Sequence, residues 1–361
     1  MKKNTKNFST RRDFLKRSAA LGVMASLPFA YVTKVLADGT EVAMAYSVNT
    51  LSSPSQAQQV RGGNAFALSV GADLDTLLTG GNSEKGIADV RAILAKYQGR
   101  VALVVDPLDS PDAQVIIEEC NKVGAKVVTI WNKPDDLHPW NMGSNYVAHI
   151  SFDGIESGRI VANAMFDAMG GKGGVLGLGG IANNVPAIDR KAGLMQAIDK
   201  NGGNVELLDF QVGDWASSKA FSITQAWLTR YGDDMKGIWA ANDEMAFGAI
   251  QALTSEGLNG KVKVCSIDGT PPAIDAVMAG DLVCSDDWSP YQWGGLALSL
   301  AYRAATGDYD PSAQGNERRE FYGKTSLIDG SNVKQVKMAK SGSPKVDYDK
   351  IWEFVGEQIR N

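Results

Sequence analysis

Short runs rich in Val, Ile and Leu recur along the chain. They are VAMAYSV (42–48), DTLLT (75–79), RVALVVD (100–106), KVVTIW (126–131) and YVAHI (146–150), then GVLGLGG (174–180), VELLDFQV (205–212), GIWAA (237–241), VKVCSID (262–268) and DLVCSDD (281–287). Most lack polar alternation, which is the pattern of strands buried on both faces. Helical spacing appears between them. Ile87, Val90, Leu94 and Tyr97 repeat in 84–98, and Val161, Met165 and Met169 line one face of 154–170. In 111–124, Ser110 is placed to cap a helix, Pro111 takes its first turn and Gly124 ends it. This alternation predicts an α/β fold with parallel sheets covered by helices on both faces. Ten strands are too many for one typical sheet, so two consecutive lobes are expected, parting near 150–153.

The N-terminus departs from that pattern. Residues 9–17 read STRRDFLKR, residues 18–31 are mostly small or apolar, and Val35-Leu36-Ala37 precedes Asp38. A basic region, an apolar stretch and small residues are the layout of a cleaved export signal. Arg11-Arg12 followed by Phe14, Leu15 and Lys16 resemble the twin-arginine signal, which exports proteins already folded. An uncleaved anchor or a basic amphipathic helix is the alternative. The expected mature chain begins after Ala37 and resides in the periplasm. Of the 361 residues, 44% are hydrophobic and 21% charged, which excludes a disordered chain. The net charge of −5 conceals an asymmetry: residues 1–37 carry eight Lys/Arg and one acid, leaving 28 basic and 40 acidic residues, a net of −12. A body that acidic argues against nucleic acid as a partner.

Metal and thiol chemistry are thinly represented. Cys120 falls on the apolar side of a predicted helix, and Cys265 and Cys284 fall on two predicted strands, where two buried thiols are favoured over a disulfide. His138 and His149 have no Cys cluster nearby, so no metal site is expected. Asp308 and Asp310 lie in a polar stretch that completes no calcium loop. GLGGIA (177–182) matches the dinucleotide fingerprint, but the next helix begins only near Pro186, so the glycines do not open it and no cofactor is expected.

Candidate chemistry gathers where strands end, the place where open parallel sheets bind ligands. Asp106, Trp131-Asn132, Asp214-Trp215, Asn242, Asp268 and Trp288 each follow a predicted strand, and Arg190 lies early in a helix. Carboxylates, amides, one guanidinium and three indoles suit a neutral, hydroxyl-rich solute whose C–H faces an indole can cover. Each residue also has a plainer reading. Asp106, Asn242 and Asp268 could be helix N-caps, the tryptophans core, and Arg190 surface.

WAANDEMAFGAIQAL (239–253) followed by SIDGTPPAIDAVMAGDL (266–282), with GGIANNVPAIDRKAGLMQAI (179–198) and DPLDSPDA (106–113), resembles type I periplasmic sugar-binding proteins of ABC transporters, in their ribose-type branch. The related sugar-responsive repressors carry a helix-turn-helix where this chain has an export signal. The resemblance implies two Rossmann-like lobes with parallel sheets joined by a three-strand hinge. Residues 38–152 with about 289–328 would form the N-terminal lobe, and 153–288 with about 329–361 the C-terminal lobe. Asp106, Arg190, Asn242 and Asp268 stand where the family hydrogen-bonds its sugar, and Trp215 where it stacks a ring. The ribose-type protein has Asp-Arg where this chain has Trp131-Asn132, Gln where it has Trp288, and adjacent phenylalanines where Ser55-Gln56 follow Ser53-Pro54. Ser53 and Gln56 complete the expected ligand set.

The implied ligand is a pentose, a deoxy or branched sugar, or a polyol, delivered to an ABC permease and its ATPase by a monomer that is not an enzyme. A chemoreceptor would be a partner if the chain serves as a sugar sensor. An exported, cofactor-dependent α/β oxidoreductase is the competing class.

Overall fold

The computed structural model describes residues 41–342 and 344–359; the expected leader lies outside them. Strands β1 (Ala43–Val48), β2 (Leu74–Leu78), β3 (Val101–Val105), β4 (Lys126–Ile130) and β5 (Tyr146–Ser151) come first. They alternate with helices α1 (Pro54–Ser69), α2 (Ser83–Lys96) and α3 (Asp112–Val123). The next series is α4 (Gly154–Ala168), β6 (Gly173–Gly179), α5 (Val185–Lys200), β7 (Val205–Val212), α6 (Ser217–Tyr231), β8 (Met235–Ala240), α7 (Asp243–Ser255), β9 (Lys263–Ile267), α8 (Pro271–Ala279) and β10 (Cys284–Asp287). The chain ends with α9 (Pro290–Thr306), β11 (Glu320–Gly323), β12 (Ser326–Asp329), α10 (Val333–Ala339) and β13 (Val355–Gln358).

Two sheets result. One has the order β13-β11-β5-β4-β3-β1-β2 and the other β12-β10-β9-β8-β6-β7. All pairs are parallel except β10–β12 and β11–β13. Each sheet reverses its strand order once, beside β1 in the first and beside β6 in the second, which creates a switch point where loops diverge and leave a crevice. Helices cover both faces. In the first lobe α1 and α9 pack together over one face, with Tyr46, Phe66, Ile150, Trp293 and Phe321 buried, while Ile93, Ile117 and Cys120 cover the other. The second lobe buries Val161, Phe166, Trp227, Trp239 and Leu253.

The chain passes from lobe to lobe at 151–154, 287–290 and 323–326. It makes a fourth pass after α10. The tail from about residue 329 was expected in the second lobe, and here the structure differs. Residues 326–328 already pair with β10 in the second sheet. Residues beyond α10 return to the first lobe, where Tyr348 packs edge-on against Phe66 at 4.9 Å and β13 pairs with β11. Burial of that aromatic contact and the free edge of β11 draw the tail back.

Local signals agree with the expected helix ends in most places. Gly124 ends α3 at φ 80°, the left-handed conformation glycine adopts without strain. Ser110 is a correction. The helix starts at Asp112 without a side-chain cap, and the Ser110 hydroxyl donates instead to Asn132 Oδ1 at 2.6 Å and to the Asn183 carbonyl at 3.2 Å. Cys265 and Cys284 face each other on neighbouring strands as free, buried thiols. Among the described residues no helix is long and apolar enough to cross a membrane, and no cluster of His, Cys, Asp or Glu has the makings of a metal site.

Candidate functional site

A cavity of about 230 Å³ lies between the lobes. The loops after β1, β3 and β4 supply Ser53, Asp106 and Trp131 and the first turn of α1 supplies Gln56 from the first lobe; the loops after β7, β8 and β9 supply Trp215, Asn242 and Asp268 and α5, which follows β6, supplies Arg190 from the second. All eight were singled out in the sequence, and they converge because both switch points open toward the same cleft.

Asp106 is fixed by two amides. Gln56 Nε2 and Gln59 Nε2 each donate to its Oδ2 at 3.3 Å. The amides are themselves oriented, since Gln56 Oε1 accepts from Thr50 N–H at 3.0 Å and Gln59 Oε1 from the Tyr46 hydroxyl at 3.1 Å. Burial pushes the Asp106 carboxyl up to about 6, against these amides and Arg190, which favour the charged form.

Arg190 is the centre of the second half. It is 3% exposed, and its Nη1 donates to the Ala241 carbonyl at 2.6 Å. Its guanidinium lies 4.4 Å from the Trp131 ring and 5.4 Å from the Trp215 ring, within cation–π range of both. Its Nε has no hydrogen-bond partner among the described residues. Asp268 Oδ1 sits 3.7 Å from Arg190 Nη2. Burial raises the Asp268 carboxyl well above the ordinary carboxylate range, and the guanidinium opposes without prevailing.

The backbone at the site is unusual. Trp131, Asp214, Trp215 and Asp268 have φ of 66°, 52°, 60° and 138°, a region that non-glycine residues enter at a cost of about 1–3 kcal/mol each. Sharp turns at the strand ends aim these side chains into the cleft.

The plainer readings are decided residue by residue. Asn242 is both a cap and a wall of the cavity, since its Oδ1 accepts from Met245 N–H at 3.0 Å. Asp106 and Asp268 cap no helix: α3 follows Pro111 and α8 follows Thr270. The cap-like carboxylate is the neighbouring Asp243, fully buried, which accepts from Ser285 Oγ, Thr270 Oγ1 and Thr270 N–H at 2.7–2.9 Å.

Two expected ligand residues do not line the cavity. Trp288 is 1% exposed and stands behind the site, donating from Nε1 to Asp268 Oδ1 at 3.1 Å and meeting Trp131 edge-on at 5.3 Å. Its indole is drawn into the aromatic packing of Phe152 rather than toward solvent. Asn132 is fully buried and serves the joint between lobes. Its Nδ2 donates to the Pro107 carbonyl at 3.0 Å, and its Oδ1 accepts from Ser110 and from Val185 N–H at 3.3 Å.

Other lining residues went unnoticed in the sequence, Asn49, Gln59 and Asn184 among them, while Glu244, which follows Asn242-Asp243 after a predicted strand, also lines the cavity. Gln59 was within reach of sequence reasoning, because it lies three residues after Gln56 on the same helix face. Further cross-lobe contacts frame the cavity. Asn184 Nδ2 donates to the Leu108 carbonyl at 3.2 Å, and the Ser53 hydroxyl donates to Glu244.

With this geometry in view, comparison with known proteins is informative. A solved twin-arginine translocation pathway signal protein from Burkholderia phytofirmans is 47% identical and superposes with a TM-score of 0.87, covering 89% of this chain and 99% of its own. The ribose import binding protein of Salmonella typhimurium is 27% identical over 294 residues, 81% of this chain and 94% of that protein. A periplasmic solute binding protein of an ABC transporter from Actinobacillus succinogenes, solved with D-allose, shares the fold with a TM-score of 0.72 at 24% identity, covering 82% of this chain and all of that one. The family model described as periplasmic binding protein domain matches residues 42–308, most of the chain, and the chain belongs to that family.

Proposed function

We propose that this protein captures a small, uncharged carbohydrate or polyol in the cleft between its lobes and delivers it to an ABC permease. The observation that carries the reading is Arg190: a buried guanidinium with an unpartnered Nε, set between two indoles in a cavity walled by both lobes. Sugar hydroxyls accept from such a donor and donate to Asp106, Glu244 and Asp268, while Trp131 and Trp215 cover C–H faces. The volume lies below the range of about 300–1,000 Å³ typical of drug-sized ligands, which suits a monosaccharide. Relatives named for ribose, allose, galactofuranose and xylitol support the ligand class.

Binding would stabilise the arrangement in which Asn132, Ser110, Asn184 and Ser53 bridge the lobes, so that solute and closure are linked. Hydrogen bonds to charged groups are worth about 1.5–3 kcal/mol each, and micromolar affinity needs about 8 kcal/mol, so a few such bonds and one well-covered indole face suffice. The protein would act in the periplasm, with the leader removed after Ala37, and would carry out no chemistry on the solute.

The test is a thermal-shift screen of purified protein against pentoses, hexoses, deoxy sugars and polyols, followed by calorimetry. A ligand at a hundred times its Kd adds about 2.7 kcal/mol and lifts the melting temperature. A panel that leaves the melting temperature unmoved, beside a nucleotide or flavin that raises it, overturns the proposal.

A further inference from the structure

The glycine-rich stretch 177–182 ends β6 and runs past it without opening a helix, and its use lies elsewhere. A methyl group added at Gly177 or Gly179 would meet the Phe210 ring at 2.4 or 2.6 Å, and one added at Gly180 would meet the Trp215 indole at 2.0 Å, with two more ring atoms at 2.2 and 2.4 Å. The run is thus a floor on which two aromatic rings lie directly against main chain. Gly180 has no positive φ. Strain from a left-handed backbone is therefore not the obstacle to alanine there, and the three atoms nearest the added methyl all belong to the indole. That indole lines the cavity, whereas Gly180 does not. Trp215 is held from the other side as well: Asp214 and Trp215 both occupy the left-handed region, and Arg190 stands 5.4 Å from the ring.

We infer that Gly180 is a positioning residue that sets how far the Trp215 wall stands back, and so sets the size of solute the cleft accepts. A single methyl at 180 moves the benzenoid edge of Trp215 into the cavity, toward Arg190 and the Trp131 face. Larger solutes then lose affinity more than small ones. The role is exerted through Trp215, so shortening that side chain removes it. This inference rests on the reading of the cavity as a solute site.

The experiment compares wild type, G180A, W215L and G180A/W215L by calorimetry with D-ribose, L-arabinose, D-allose, xylitol, myo-inositol and glycerol. In G180A the largest solute bound by wild type is expected to lose at least tenfold in affinity, with a smaller loss for the smallest one bound. G180A/W215L is expected to bind as W215L does. If G180A fails to fold, the comparison of G180A/W215L with W215L decides, since the shortened side chain leaves room for the methyl. Wild-type affinities in G180A overturn the inference alone. So does a double variant that fails to fold or loses further affinity beyond W215L, for Gly180 would then act independently of the indole. A wild-type protein that binds none of the six solutes overturns the reading of the site, and this inference with it.

Discussion

Asp106 and Arg190 illustrate what single residues contribute and how each can be tested. Arg190 presents planar donors between two indoles, a geometry lysine does not reproduce. Arg190→Ala should weaken solute binding a hundredfold or more, and Arg190→Lys should rescue little of it, as read by calorimetry; a lysine variant of near wild-type affinity would show that charge alone matters. Asp106 makes a prediction about pH. Its folded carboxyl titrates at about 6, above the unfolded value of about 3.9. Between those values the folded protein keeps a proton that the unfolded chain releases. Stability therefore falls as pH rises through that window, by up to about 3 kcal/mol for this group. Urea unfolding at stepped pH should show a shallower fall for Asp106→Asn than for wild type, and parallel profiles would remove Asp106 as the cause. Asp286, also raised to about 6 by burial, contributes in the same direction and remains in both proteins.

Residue identity was legible in the sequence where a strand end dictates an address, as for Asp106, Asn242 and Asp268. Side-chain direction was not. Trp131 and Trp288 both follow strands, yet the positive φ of Trp131 turns its ring to the cavity, and Trp288 packs behind it against Phe152. Which way a loop turns depends on contacts between segments distant along the chain.

At the level of elements, the two strand orders, each reversed once, bring loops from seven strands to one cleft. Ten strands are read directly from the sequence because burial on both faces writes most of them as continuous hydrophobic runs; β10 is found because DLVCSDD (281–287) extends beyond its four paired residues. Strands β11, β12 and β13 are missed because EFYG, SLID and VGEQ are four residues each with no continuous apolar run flanking them, and the last is half polar. Ser110 is misread as a cap because the same hydroxyl also suits a partner across the cleft. Asn132 deserves a test at this scale, since it joins the β3–α3 loop to the start of α5. Asn132→Ala should lower the unfolding free energy by about 1–3 kcal/mol, the cost of leaving buried partners unsatisfied. It should weaken solute binding besides, because one bond that favours the closed arrangement is gone. Chemical denaturation and calorimetry on the same preparation separate the two effects. Lost stability with unchanged affinity would confine Asn132 to the first lobe.

For the whole molecule, the passes at 151–154 and 287–290 carry Phe152 and Trp288, and these rings touch Trp131 while Trp288 also bonds Asp268. The connections between lobes are thus packed against groups that would grip the solute. Opening the cleft would break the Trp288–Asp268 bond and the Arg190–Trp131 contact, the ties of this stack to the second lobe, so solute addition should change intrinsic tryptophan fluorescence, and Trp288→Phe should diminish the change. Small-angle scattering should show a smaller radius of gyration with solute present. An unchanged radius would mean that the lobes do not part.

The fourth pass of the chain has a consequence for assembly. Because β13 completes the edge beside β11, the sheet that contains β1 (Ala43–Val48) is finished by Val355–Gln358, about three hundred residues further along the chain. Neither lobe is built from one continuous segment. A nascent polypeptide emerging from the ribosome therefore has five of the seven strands of its first sheet by residue 151 but gains β11 and β13 only after β6–β10 of the second sheet have been made, and cutting the gene at 152 should yield halves that fail to fold separately.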